Sequence, residues 1–396
     1  MTESRKLNLF AWAIFFYLVM TIFHKAFVAV GMLLILVLAF YTSKESYAHV
    51  FKDKKHIFFT SLVFIFILSI LINGAGDFNK IKYYLPPIFL TASFYHFGPR
   101  LSDKWIKKIV FWFILLSAIS SLVGTLTILF DFNILKFKID TYPRNKGAFL
   151  GIMYYSYSNA IICAMSIAAL VHYKKFKKYL NFKLLIISLV LNLIGLYFTY
   201  TRGAILALIA SLPFVFYYTN KKIFTSIFIL GVFLATAVIY IIFGNSNLSF
   251  YRFKPNSGSD AERIAMFKTA YYMYLKKPVI GHGFQNFKEV CKGVQEEYDL
   301  KPRHCAFHSH NQYLDAFALA GTIGGIVFIL FFGSWLLTYF TGYRDIYLFS
   351  LPGLVTFLTI CMTDTPLYMA PPISIIFVLY GMLFVKREVT SEANLV

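Results

Sequence analysis

The feature that most constrains this chain is a recurrence. Apolar runs of about twenty residues follow one another from Leu9 to Val385. A helix crossing a bilayer needs about 20 predominantly apolar residues, set by a hydrocarbon core about 30 Å thick and a rise of 1.5 Å per residue. Soluble globular proteins carry about 25% charged residues; this chain of 396 residues carries 14%, with 59% hydrophobic. A soluble enzyme is excluded. The reading is an all-α polytopic membrane protein with about 12 transmembrane helices, near residues 9–23, 26–41, 57–72, 81–97, 109–130, 148–172, 184–200, 203–219, 223–243, 311–340, 346–363 and 367–385. Leu85-Pro86-Pro87 is expected to kink the fourth, and the run at 311–340 is long enough for its start to lie above the hydrocarbon. This divides the chain into 1–243 with helices one to nine, a long outward loop at 244–310, and 311–396 with helices ten to twelve and a C-terminal tail.

The formal net charge of +20 would suggest nucleic acid in a soluble domain. Here the basic residues stand in short clusters between apolar runs, so they read as orientation signals and no nucleic-acid partner is expected. One set of loops holds 20 Lys and Arg, from Arg5-Lys6 through Lys174, Lys175, Lys177 and Lys178 to Lys386-Arg387, against 8 in the opposite short loops. Basic residues are retained in the cytoplasm, which puts both termini there and the 244–310 loop outside. Leu9–Phe23 lacks a small-residue cleavage site, so no cleaved signal peptide is expected. Two outward segments stay basic against this tendency. One is Lys136, Lys138, Arg144 and Lys146; the other is the long loop, with 10 Lys or Arg against 6 Asp or Glu. An anionic ligand is the simplest physical reason, beside plain solubility.

Three segments carry residue types suited to chemistry. Thr199-Tyr200-Thr201-Arg202-Gly203-Ala204 lies between two spans. Arg202 is either a snorkelling boundary residue or a ligand for an anion, and Gly203 suits a tight turn or a close backbone approach. In the long loop, Ser257-Gly258-Ser259-Asp260 leads into a helical pattern with Ile264, Phe267, Tyr271 and Tyr274 at 3- or 4-residue steps. That pattern predicts an amphipathic helix on the membrane surface or over a cavity, with Arg263 in its first turn, paired to Asp260 or Glu262 if it is only structural. After Pro278, Gly281-His282-Gly283 could bring backbone N–H groups to an oxyanion.

The third segment is His304-Cys305-Ala306-Phe307-His308-Ser309-His310-Asn311. Four of the nine histidines fall between 282 and 310, but H-x-H lacks further ligands at a recognisable spacing, so no metal is expected. A histidine at a loop-to-helix junction suits proton transfer, because an ordinary imidazole titrates near pH 6.5. Cys291 and Cys305 share the loop, where an oxidising compartment permits a disulfide. Glu296-Glu297-Tyr298-Asp299 could hold a cation but reads as a solvated face beside Lys292 and Lys301.

Taken in order, Thr201-Arg202-Gly203-Ala204, Arg263 followed by Pro278-x2-Gly281-x-Gly283, and His308-x-His310-Asn311 ahead of Gly321 resemble the bacterial O-antigen ligases and their relatives among the O-antigen polymerases. The resemblance covers about residues 195–325. It implies an inner-membrane glycosyltransferase of the GT-C type, acting on the periplasmic side without metal or cofactor and inverting the anomeric centre. Its substrates would be undecaprenyl-pyrophosphate-linked O-antigen and a lipid A-core acceptor, in lipopolysaccharide biosynthesis. Arg202, Arg263 and His310 are the positions it carries over. The chemistry agrees, since a sugar diphosphate needs cations for its leaving group and a base for the incoming hydroxyl. Arg202 and Arg263 are expected to clamp the diphosphate and His310 to take the proton, with His308, Asn311 and Gln285 orienting substrate. The polymerase is the nearest alternative, followed by a protein-glycosylating ligase. A flippase for an anionic lipid, with Arg202 lining its path, is the alternative from another class.

Overall fold

The structure, a computed structural model, describes residues 3–23, 30, 31, 33, 34, 37, 54–81, 84–101, 103–130, 144–148, 151–244 and 259–384. All regular structure among them is helical. Four helices are long and apolar enough to cross a membrane: α1 (Glu3–Phe23), α4 (Asp103–Phe130), α5 (Ile152–Val171) and α11 (Gln312–Thr341). Between and after them come α2 (Lys54–Asn73), α3 (Leu85–Phe97), α6 (Phe182–Tyr197), α7 (Arg202–Ser211), α8 (Lys221–Gly244), α9 (Ser259–Lys276), α10 (Phe287–Glu297), α12 (Tyr347–Cys361) and α13 (Ala370–Gly381). Most of the span from 26 to 41, the first outward loop at His24-Lys25, Lys136 and Lys138, the Ser257-Gly258 turn and the C-terminal tail lie outside the described residues, as does the Asp260 side chain.

Two expectations change. The prolines at 86 and 87 do not kink a span; they stand in the first turn of α3, where the backbone N–H has no intrahelical partner to lose. The long run after Asn311 is one helix broken at Gly321, whose φ of 67° is non-helical. The cause is close packing. A Cβ on Gly321 would lie 2.1 Å from the Val279 carbonyl oxygen, and one on Gly281 would lie 2.4 Å from the Leu319 carbonyl carbon. At this break the carbonyls of Ala318 and Leu319 accept the N–H groups of His282 and Gly283 at 3.1 and 3.0 Å. With the Gly281 N–H donating to the Lys277 carbonyl at 3.1 Å, the backbone donors of the Gly281-His282-Gly283 turn are all committed, two of them to α11, and not available to an oxyanion.

One apolar core joins α1 to α7 and α11 to α13, with Tyr17, Trp335, Phe377 and Tyr380 among its largest fully or nearly fully buried side chains. A second, smaller core lies under the long loop, where Met266, Ala270 and Met273 of α9 meet Phe287, Cys291 and Val294 of α10 and Ala318 and Leu319 of α11. The buried face of α9 is therefore rotated from the predicted stripe, and Ile264 and Tyr271 are exposed. A Cys291–Cys305 disulfide ties α10 to the segment leading into His308. The acidic group at 296–299 is engaged by lysine and arginine: Glu297 pairs with Lys276, and Asp299 with Lys301 at 3.3 Å and Arg303 at 3.6 Å.

Candidate active site

The site is assembled where the start of α11 meets the turn after α12. Asn311 caps α11, its Oδ1 accepting the Leu314 N–H at 3.0 Å, while its Nδ2 donates to the Met362 carbonyl at 3.0 Å. Both ends of this amide therefore fasten the histidine loop to the α12 turn. Asp315, one turn into the helix, accepts the Ser309 N–H at 2.9 Å and holds the loop from below. His310 sits between these anchors with φ of 59°, a left-handed conformation that histidine tolerates better than most side chains.

His310 faces Asp364, a residue the sequence reading passed over. Its Nδ1 is 3.2 Å from Asp364 Oδ1, and the carboxylate is 1% exposed against 21% for the imidazole. A carboxylate only accepts, so Nδ1 carries the proton and Nε2 of the neutral ring is left with its lone pair, which is the tautomer a general base requires. Asp364 is itself held on both oxygens. The Thr365 N–H donates to Oδ1 at 2.8 Å and the Tyr157 hydroxyl donates to Oδ2 at 2.5 Å. Burial pushes this carboxyl up, but the hydrogen bond with His310, the neighbouring imidazoles and the Tyr157 bond outweigh it and hold it at about 2.

His308 stands edge-on to His310, ring centroids 4.5 Å apart, with Nε2 3.9 Å from Asp364 Oδ1. Burial pushes it down to about 4, against the pull of Asp364 and with the help of His310, so it is neutral at neutral pH and its approach to Asp364 is no ion pair. His308, His310 and Asp364 each offer a ligand atom within 4.8 Å of the other two, a set that could hold a divalent ion. Of these atoms, both Asp364 oxygens already accept bonds from Tyr157 and from the Thr365 N–H, while His308 Nδ1 is buried without a hydrogen-bond partner among the described residues.

Two arginines act on the Tyr157 hydroxyl electrostatically, Arg263 from the first turn of α9 and Arg144 from the segment before α5. No carboxylate among the described residues lies within salt-bridge distance of either. Arg202 is the first residue of α7, exposed, and its helix starts against the Asp364 turn: a Cβ on Gly203 would come within 2.7 Å of Thr363 Oγ1. Gly203 thus serves the close approach, not a turn between spans. The sharp bend before it, with Tyr200 at φ 52°, is held by Arg144, whose Nε donates to the Thr199 carbonyl at 2.7 Å and Nη2 to Thr201 Oγ1 at 3.2 Å.

Of the three residues expected to carry the chemistry, His310 contacts the turn Thr363-Asp364-Thr365, the helix that begins at Arg202 starts against it, and Arg263 acts electrostatically on the Tyr157 hydroxyl bonded to it. Gln285 follows Phe284, whose ring meets Tyr368, and Tyr368 in turn meets His308. The Gln285 Nε2 is buried without a hydrogen-bond partner among the described residues, and the residue has φ of 65°. Sequence reasoning missed Tyr157 and Asp364. Asp364 had a signal, an acid between two apolar runs, which in a membrane protein marks a functional position.

Residues 187–329 match a protein-family model described as O-antigen ligase. No curated protein matches the chain. The matched span contains Arg202, Arg263 and His310, while Arg144, Tyr157 and Asp364 lie outside it. By that match, and by the ordered motifs it encloses, residues 187–329 of this multi-pass membrane protein are similar to the O-antigen ligases.

Proposed function

We propose that the chain is an O-antigen ligase, a metal-independent, inverting glycosyltransferase of the GT-C type. It would move a polysaccharide from undecaprenyl pyrophosphate to lipid A-core on the periplasmic face of the inner membrane, with both termini in the cytoplasm. His310 Nε2 takes the proton of the acceptor hydroxyl as that oxygen attacks the anomeric carbon. The bond from this carbon to the diphosphate oxygen breaks with inversion, and the departing lipid diphosphate carries the electron pair. Arg202 and Arg263 hold that charge through forked, charge-assisted hydrogen bonds, which a lysine ammonium cannot reproduce. Asp364 fixes the His310 tautomer and stabilises the imidazolium formed. His308 and Gln285 are assigned to orienting the substrates, and Asn311 to holding the histidine loop.

The single observation carrying this reading is the hydrogen-bonded chain from His310 through Asp364 to Tyr157, with a guanidinium acting on its far end. It joins a base to a cation, the pair of functions that glycosyl transfer from a diphosphate needs. The test offers purified protein a lipid-linked polysaccharide with lipid A-core, with a second lipid-linked repeat unit, or with an acceptor protein. Transfer to lipid A-core with release of undecaprenyl pyrophosphate, persisting in EDTA, supports the ligase. Growth of the lipid-linked chain makes it a polymerase, transfer to protein makes it a protein-glycosylating ligase, and movement of intact lipid across vesicles makes it a flippase. Losing a contact made only as the leaving group departs costs about 2.7–4 kcal/mol, a rate loss of about 100-fold or more. Arg202→Ala or His310→Ala that kept full ligation at equal expression would remove the assignments.

A further inference from the structure

Arg144 belongs to the basic outward cluster that runs against the orientation tendency, and nothing in the mechanism above uses it. Its backbone is fixed as firmly as a core residue. The next residue, Asn145, is fully buried. Its N–H donates to the Phe198 carbonyl at 2.9 Å, its Nδ2 to Thr125 Oγ1 at 3.1 Å, and its Oδ1 accepts the Gly147 N–H at 2.7 Å. A Cβ on Gly124 would come within 2.0 Å of that Oδ1, so α4 is shaped to receive the segment.

Seated this way, Arg144 bonds the residues that lead into Arg202 and, like Arg263, acts electrostatically on the Tyr157 hydroxyl. Two of its five N–H groups hold the bend at Thr199 and Thr201 that starts the Arg202 helix. The others meet no acceptor among the described residues, and no carboxylate there neutralises the group. A partly buried cation is costly unless an anion lies beside it. Asp364, the buried carboxylate that accepts the Tyr157 hydroxyl, is already committed to His310 and Tyr157.

We infer that Arg144 is a third arginine of the site, which contacts the diphosphate of the lipid donor directly while it tethers the turn presenting Arg202. This rests on the function proposed above and names a residue in it. The charge balance explains why a third is useful. A sugar diphosphate lipid has two ionised phosphate oxygens; when the anomeric C–O bond breaks, the departing diphosphate gains a third negative charge. Arg202, Arg263 and Arg144 match that product charge for charge.

The test uses the full chain in nanodiscs and measures binding of undecaprenyl pyrophosphate and undecaprenyl phosphate to the wild type and to Arg144→Gln, Arg144→Lys and Thr201→Val. Loss of a charge-assisted hydrogen bond corresponds to about tenfold or more in affinity. Arg144→Gln is expected to lose about tenfold or more of the preference for diphosphate over monophosphate, Arg144→Lys less. Thr201→Val, which removes one of the two tethering bonds and leaves the guanidinium, is expected to keep the preference. The ratio is internal to each variant, so partial loss of folded protein does not move it, and Arg144→Lys reads the same preference if the glutamine variant does not fold. An unchanged ratio in both Arg144 variants, or the same loss in Thr201→Val, overturns the inference. Ligation by a wild type whose Arg144 variants keep the ratio sinks Arg144 alone; a ratio that falls as expected in a protein transferring no glycan sinks the ligase reading alone.

Discussion

Replacing Asp364 by asparagine removes one charge and almost no volume, and the structure dictates how the amide must sit. The Thr365 N–H points at Oδ1 from 2.8 Å and, as backbone, cannot reverse. Asparagine therefore puts its oxygen there, beside His310, and its nitrogen toward Tyr157, whose hydroxyl can rotate to accept. The His310 bond survives as a neutral one and the ring keeps its tautomer. What is lost is stabilisation of the imidazolium. A hydrogen bond to a charged group contributes about 1.5–3 kcal/mol and a neutral one about 1, so the deficit is about 0.5–2 kcal/mol, on the order of 2- to 30-fold in kcat. Asp364→Ala is a different lesion. It strips the acceptor from Nδ1 of His310, from the Tyr157 hydroxyl and from the Thr365 N–H at a position 1% exposed. The ring then gains access to the wrong tautomer, and the loss approaches the whole contribution of a general base, about 10²- to 10⁴-fold. Both variants are compared with the wild type in single-turnover ligation at equal folded protein, the folded fraction taken from melting curves. Equal loss in both variants, or wild-type rates in both, refutes the reasoning, because the two substitutions differ only in whether an acceptor remains.

Three further outcomes follow from the same geometry. His308 has its folded value near 4, below the ordinary value of about 6.5, so its contribution to stability is complete above about pH 6.5 and is lost as pH falls toward 4, by up to roughly 3 kcal/mol. Thermal melting should weaken across that window in the wild type and less in His308→Gln; identical pH curves would refute it, since Asp364, held near 2, loses its contribution only below about pH 4. Reducing the Cys291–Cys305 bridge releases a loop of about 15 residues that ends just before His308, worth about 3 kcal/mol. Dithiothreitol or Cys305→Ser should therefore lower both the melting temperature and the ligation rate, and unchanged values of both would show that the loop does not depend on the bridge. Gly281→Ala places a methyl 2.4 Å from backbone of α11 at φ 73°, which should destabilise by more than about 2 kcal/mol; a melting temperature equal to wild type would mean that the junction with α11 is looser than described.

Much of this was legible in the residues, and the limits have physical causes. Helices from 54, 152, 182, 202, 312, 347 and 370 begin within a few residues of where the apolar runs predict, and the one from 103 begins six residues early, because burial in hydrocarbon or in the bundle requires the same composition. The rotation of α9 was not legible. Aromatic residues at helical spacing mark a face, but alanine and methionine form the face that packs on α10 and α11, where small side chains allow close approach. Nor was the committed Gly281-His282-Gly283 turn, since its N–H groups find acceptors only because Gly321 interrupts a helix forty residues later.

Local sequence, then, determined that the chain is a helical membrane protein with a segment similar to the O-antigen ligases and which residue types stand ready for chemistry, because hydropathy, capping and motif spacing act over a few turns. Tertiary structure alone decided that His310 meets Asp364 from 54 residues away, that Tyr157 reaches the same carboxylate across 207, and that Arg144 and Arg263 act electrostatically on the same hydroxyl. Those contacts depend on how α5, α7, α11 and α12 pack side by side, and no property of any one segment encodes which neighbour it will find.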